Sequence, residues 1–237
     1  MKRKVLGKVG SVGKTTNNSD FDVFPLPPMS DMSNRLLRKE MVSTLYEYYL
    51  VDDIGEPSDY VELCDALRSA NENDQFVIRF NSDGGLLSTG DMVINAIKES
   101  QAHVHGFIEH SCGSMATMVF LACHSWSLSD SAEFFIHSAS GGTVGKEHEN
   151  YASIMFARKK LHRMVKERYS GFLTESEIEN VLNGQDYYFD AEEIADRLDT
   201  YTEHHQKMFE QEMEKMQSEA LEGEETKTPK KKKILPS

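Results

Sequence analysis

Three apolar runs rich in β-branched and aromatic residues, each ending in a turn of small residues, constrain this chain more than any other feature. QFVIRF at 75–80 ends in NSDGG, ahead of a stripe of Met92, Val93, Ile94, Ala96 and Ile97 at helical spacing. VHGFIEH at 104–110 passes through SCG into SMATMVFLACH, and EFFIHS at 133–138 is the third run. Strands that leave into helices are joined by crossovers and not by hairpins, so they pair in parallel. The pattern predicts an α/β fold with a parallel sheet. At 237 residues the chain fits one such domain with extensions.

The flanking segments read differently. Residues 1–33 are rich in Gly, Ser, Asn, Asp and Pro and end in the cluster Pro25, Pro27, Pro28, which predicts a flexible arm. From Asn34 the spacing of Leu36, Leu37, Met41 and Leu45 suits a short helix before a strand at Tyr48–Val51, opening a main domain over 34–200. Ser58 is a candidate N-cap for a helix carrying Val61, Leu63, Cys64, Ala66 and Leu67. A long helix is expected over 148–170, with Tyr151, Ile154, Met155, Ala157, Leu161, Met164 and Val165 on its apolar side and Gly171 as its stop. Thr174 followed by Glu177 has capping-box spacing for the next helix. An acidic helix over 201–225 and a basic tail over 226–237 complete the chain.

Charge narrows the partners. The formal net charge of −13 opposes a phosphate-binding surface, and the only dense basic run is Lys230–Lys233, read as a solubilising tail. No stretch approaches the roughly 18 to 20 apolar residues of a membrane span, and Lys2, Arg3 and Lys4 lead into no apolar signal core. The expected location is the cytoplasm, with neither membrane nor nucleic acid as partner. Cys64, Cys112 and Cys123 are an odd set without CxxC spacing, which suggests free thiols and no zinc site.

Reactive groups in an open α/β sheet gather beyond the carboxyl ends of the strands. Ser114 stands there, between a strand and an apolar helix, with Gly113 before it and the small Ala116 two residues on. A serine hydroxyl is a weak nucleophile and needs a base, whose tautomer a third group fixes. His137, at the end of the following strand, and Asp186 are candidates for those roles, although nine histidines and many aspartates offer other triples. A tetrahedral intermediate also needs backbone donors. Gly84 and Gly85 could bring an amide close, or form an ordinary turn, and the Met115 amide follows the serine.

These residues resemble a known family. FNSDGG is similar to the strand-end INSPGG motif of the Clp protease proteolytic subunit, SCGSMA to its nucleophile motif, FIHSASGGTVG to its histidine segment, and QDYYFDAEEIADRLD to its aspartate segment. The resemblance covers about residues 45–200 in matched order. It implies the repeated β-β-α units of the ClpP/crotonase fold with a protruding handle helix at 148–170. It also implies a triad of Ser114, His137 and Asp186, oxyanion amides at Gly85 and Met115, and peptide-pairing edges at Gly84, Leu86 and Leu87 and at Ser138, Ala139, Ser140 and Gly141. The implied activity is a cofactor-free serine endopeptidase acting on unfolded or delivered polypeptides. The implied assembly is a homo-oligomer of heptameric rings, stacked as a tetradecamer and fed by an ATP-dependent unfoldase.

The sequence departs from the pattern at Asp83, where the family has proline, so a carboxylate stands close to the expected oxyanion and opposes it unless solvated or paired. That departure and the unusual ends give the alternative of a weakly active or inactive ring subunit serving as scaffold or regulator of a paralogue. A crotonase-type acyl-CoA enzyme shares the fold but has no need of this serine, histidine and aspartate. Cys112 is read as a small residue packed behind the turn, His148, His162, His204 and His205 as solvated, and Lys159–Lys160 as a solvent-facing pair and not a base for Ser114.

Overall fold

The computed structural model describes residues 42–138 and 146–225. The arm, the short helix expected from Asn34, the basic tail and the predicted edge residues Ala139, Ser140 and Gly141 lie outside them. Strand β1 (Leu45–Ile54) leads through a 3-10 turn at Pro57–Tyr60 into α1 (Val61–Ser69). The pairs β2 (Gln75–Gly85) and α2 (Leu87–Glu99), then β3 (His103–Gly113) and α3 (Met115–Leu121), follow. After β4 (Ser125–Leu128) and β5 (Glu133–Ile136) come α4 (Glu147–Tyr169), α5 (Glu175–Leu182), β6 (Tyr187–Phe189) and α6 (Ala191–Glu225).

The sheet runs β1-β2-β3-β5-β6, with β4 paired to β3; β6 alone is antiparallel. Parallel pairing follows from the helical crossovers, as the sequence predicts. Alternation along β2 buries Phe76, Ile78 and Phe80 and turns Val77 and Arg79 to the other face. The helices cover the first face, where Phe120 of α3 meets Phe80 edge-on at 5.3 Å and Phe134 at 5.7 Å. All seven residues of α3 are buried. On the opposite face Arg79 lies between Glu47 (2.8 Å) and Glu109 (3.2 Å).

Two short strands escape the sequence patterns. SWSL is only four residues long, too short a run to stand out in sequence, and both its serines are buried, their hydroxyls satisfied by His103 and His105. YYF is three residues long and is defined only by pairing with β5. The helix expected over 201–225 starts at Ala191, so residue 200 falls inside one continuous α6.

The capping box at α5 forms as its spacing predicts: Glu177 N–H donates to Thr174 Oγ1 at 3.3 Å and Thr174 N–H to Glu177 Oε2 at 2.8 Å. Arg197 of α6 grips the same carboxylate in a fork, at 2.7 and 3.0 Å, and stacks 4.3 Å over Phe189 of β6. The fork from Arg197, more than the amide of Thr174, holds the Glu177 carboxyl below its ordinary pKa. A folded pKa below the unfolded one contributes stability that is full above about pH 4.3 and is lost as pH falls through the folded value. Glu177→Gln is therefore expected to lower stability by about 1 to 2 kcal/mol at neutral pH. Urea midpoints of the two proteins should converge in acid; a gap that persists at low pH would show that the charge is not the cause.

Candidate active site

Because β2, β3 and β5 are parallel and in near register, with Ser82 beside Cys112 and Gly113 beside Phe135, their carboxyl ends open at one place. Ser114 sits there between β3 and α3 with φ 51 and ψ −123, a conformation that residues with a Cβ rarely adopt. Such strain costs on the order of 1–3 kcal/mol and persists only where neighbours over-determine it. Here the Ser114 N–H donates to the Phe135 carbonyl at 2.7 Å, while its Oγ lies 2.9 Å from His137 Nε2. With Nδ1 carrying the imidazole proton, Nε2 accepts from the serine hydroxyl, the arrangement a nucleophile and its base require.

The glycine pair explains how the elbow fits. Gly84 has φ 102, and a Cβ there would stand 2.7 Å from the Gly113 oxygen, 2.7 Å from Ser114 Cβ and 2.8 Å from the Met115 nitrogen. Gly85 has φ 148 and presses on β1, where a Cβ would lie 2.3 Å from the Ile54 oxygen. The bare backbone of Gly84 thus lies against the Ser114–Met115 peptide. Asp83 does not stand unpaired beside it: its carboxylate accepts a 2.6 Å hydrogen bond from Ser111 Oγ and remains exposed.

A profile of the Clp protease family matches residues 30–197, which include every one of these elements. The chain belongs to the Clp protease family. Its fold is similar to that of an asparagine-to-aspartate mutant of ClpP1 from Listeria monocytogenes, with a TM-score of 0.52 and 19% identity over 64% of this chain and 86% of that one. No curated protein matches the sequence.

In this Clp protease chain the third expected triad member is placed but not engaged. Asp186 immediately precedes β6, so continuing the antiparallel register past the Ile136–Tyr187 pair sets it opposite His137. It is exposed, and among the described residues no hydrogen bond or ion pair joins it to His137. The His137 ring is held instead by stacking on Phe135 at 4.8 Å, and Phe135 stacks on Tyr188 at 4.5 Å. Sequence reasoning missed this ladder. Its only signal is that Phe135, His137 and Tyr188 occupy outward positions on paired strands.

Of the expected peptide-pairing residues, Leu86 has an exposed side chain (42%), but its N–H already donates to Ile54 O at 2.8 Å. Leu87 opens α2 and is partly buried, and Ser138 is half-buried beside His137. Two open hollows of about 350 and 550 Å³ adjoin the site and share Asp83 and Ser111. Asp52 and Asp53 line one; Glu133 and Asp190 line the other. This side of the molecule is acidic.

Cys112 is fully buried, and burial pushes its thiol pKa well up, so it offers no competing thiolate. Lys160 pairs with Asp91 at 3.2 Å. The reading of His204 and His205 as solvated is corrected. His204 fills the space beside Gly171 and reaches Ser170 Oγ at 3.1 Å, while burial first, then His204 and Lys98, lowers the pKa of His205. Both face inward because α6 folds back onto the end of α4, a tertiary contact that helical spacing alone does not reveal. Among the described residues no group of histidine, cysteine and carboxylate side chains could hold a metal ion, and no helix is long and apolar enough to cross a membrane.

Proposed function

We propose that this Clp protease is a serine endopeptidase in which Ser114 is the nucleophile, His137 the general base and Asp186 the group that orients the base. The observation that carries the reading is the 2.9 Å contact between Ser114 Oγ and His137 Nε2 at a strained strand-to-helix elbow. As Oγ bonds to the peptide carbonyl carbon, its proton passes to Nε2 and the carbonyl electrons move onto oxygen. The Gly85 and Met115 amides stabilise that oxyanion. Its collapse breaks the C–N bond, with the Nε2 proton leaving on the amine. Water then attacks the acyl-enzyme, giving its proton to His137 and releasing the acid as Ser114 regains a proton.

Substrate is an extended segment of an unfolded polypeptide laid between Gly84–Leu87 and Ser138–Gly141. No cofactor takes part. By family resemblance the chain works in the cytoplasm as a heptameric ring, stacked in pairs through α4 and supplied by an ATP-dependent unfoldase. A second reading has support in one observation, the missing contact between Asp186 and His137: a ring subunit of low activity that scaffolds or regulates a paralogue. Purified protein treated with a serine-directed phosphonate and a short fluorogenic peptide separates the two. Labelling of Ser114 with peptide turnover is expected; absence of both, with the ring assembled, would leave the scaffold reading.

A further inference from the structure

The carbonyl of Ser114 is anchored as firmly as its N–H. It accepts from the Thr117 N–H at 3.1 Å and from the Thr117 hydroxyl at 2.6 Å. Thr117 is fully buried (0%) in the first turn of α3, and its Oγ1 also lies 2.7 Å from the hydroxyl of Tyr169. A hydroxyl has one proton to give, and a carbonyl can only accept. The Thr117 proton therefore goes to Ser114, and Tyr169 is the donor to Thr117. The relay runs in one direction, from Tyr169 through Thr117 to the Ser114 carbonyl.

Tyr169 is the last residue of α4 and is 1% exposed. Burial pushes its phenol pKa up, so the hydroxyl keeps the proton it donates. Its neighbours are fixed in turn, since Ser170 and Gly171 pack on His204 of α6.

The Ser114–Met115 peptide is planar and trans, so its C=O and N–H point in opposite directions. Holding the carbonyl inward along α3 holds the Met115 N–H outward, at the amino end of the helix. With φ 51 at Ser114 this peptide is not in a conformation the chain prefers, and once the 2.6 Å hydroxyl bond is lost and only the longer bond from the Thr117 N–H remains, it can turn over. A turned peptide presents an oxygen where the intermediate needs a donor. We infer that Thr117 and Tyr169 are positioning residues for the oxyanion amide, and that the end of α4 sets the direction of the Met115 N–H through them. The inference rests on the peptidase reading of Ser114.

Thr117→Val removes the shorter of the two hydrogen bonds to the carbonyl, leaving only the one from the backbone N–H at 3.1 Å, but strands the Tyr169 hydroxyl in the core, whereas Thr117→Val with Tyr169→Phe removes both hydroxyls of the relay at nearly constant shape. The double variant is therefore the main probe, with Thr117→Ser as the conservative control. For the fluorogenic peptide, kcat is expected to fall about 10- to 100-fold, approaching the loss of an oxyanion donor, with KM within about twofold. Thr117→Ser should restore kcat. Crystal structures of the variants should show the Ser114–Met115 peptide turned in the double variant and native in Thr117→Ser. A double variant with native kcat, or with the peptide unmoved, overturns the inference. Failure of the peptidase reading looks different: the wild type itself is then unlabelled by phosphonate and inert toward peptide, and the orientation of the peptide plane alone decides whether the relay holds it.

Discussion

Ser114→Ala should lower the rate of peptide hydrolysis by about 10⁴-fold or more while leaving the urea midpoint nearly unchanged. Alanine keeps the Cβ, so the φ of 51 costs it about what it costs serine; only Oγ and its bond to His137 Nε2 are lost. His137 is half-buried and can bond water in place of the hydroxyl. Ser114→Gly provides the complementary test. It should be equally inactive but more stable by about 1 kcal/mol, because glycine occupies this conformation without a Cβ penalty. A rate above about one hundredth of wild type in Ser114→Ala would mean that another group forms the acyl-enzyme. Equal stability of the glycine and alanine variants would mean that the elbow is not strained in solution.

Gly84→Ala is expected to combine the largest loss of stability with a large loss of activity. The added methyl meets three atoms of the facing elbow at under 3 Å, the Gly113 oxygen, Ser114 Cβ and the Met115 nitrogen, and it does so on a residue with φ 102. None of these is the far end of a flexible side chain, so one strand end must move from the other. Strain and displaced packing together cost about 3 kcal/mol or more. Whatever relaxation occurs carries the Met115 amide with it, so protein that still folds should lose about 10²- to 10³-fold in kcat. The urea midpoint and the rate on the fluorogenic peptide check both parts. Native values for both would show that β2 and the elbow are not in contact in solution.

Asp83 illustrates how a local reading changes once partners are known. From its position in FNSDGG it threatens an oxyanion with like charge. In the structure Ser111, the residue directly after the VHGFIEH run, donates to the carboxylate at 2.6 Å and the group remains exposed. Both neutralising influences come from the tertiary arrangement: β2 and β3 must pair before Ser111 reaches Asp83. A charge that is hydrogen-bonded and open to water acts on its surroundings through a high effective dielectric.

How much was legible in the residues alone divides along the range of the forces involved. Local chemistry announces itself locally. The apolar runs at 75–80 and 104–110, the helical stripe after NSDGG, the Thr174–Glu177 capping box and the break at Gly171 all appear where sequence spacing puts them, because each depends on neighbours within a few residues. The parallel order followed from helical crossovers, and the motif resemblance singled out Ser114 and His137. The three-residue β6 and the four-residue β4 are too short for periodicity to single out, and pairing with β5 and β3 defines them.

The same division runs through the site. Which serine and which histidine face one another was readable from motifs and from the rule that strand ends gather at one edge. The stacking of His137 on Phe135, and of Phe135 on Tyr188, depends on the register of β5 and β6. The inward turn of His204 and His205 depends on where α6 returns, and the relay from Tyr169 to Ser114 on the packing of α4 against α3, its ends lying 55 residues apart in sequence. Side chains so distant along the chain meet only after the sheet has formed and α4 has folded against α3. Hydrogen bonds and ring contacts act over a few ångströms, and no spacing rule written on the sequence spans that closure. Sequence thus settled the fold class and singled out Ser114 and His137; tertiary structure decided how the two are held together.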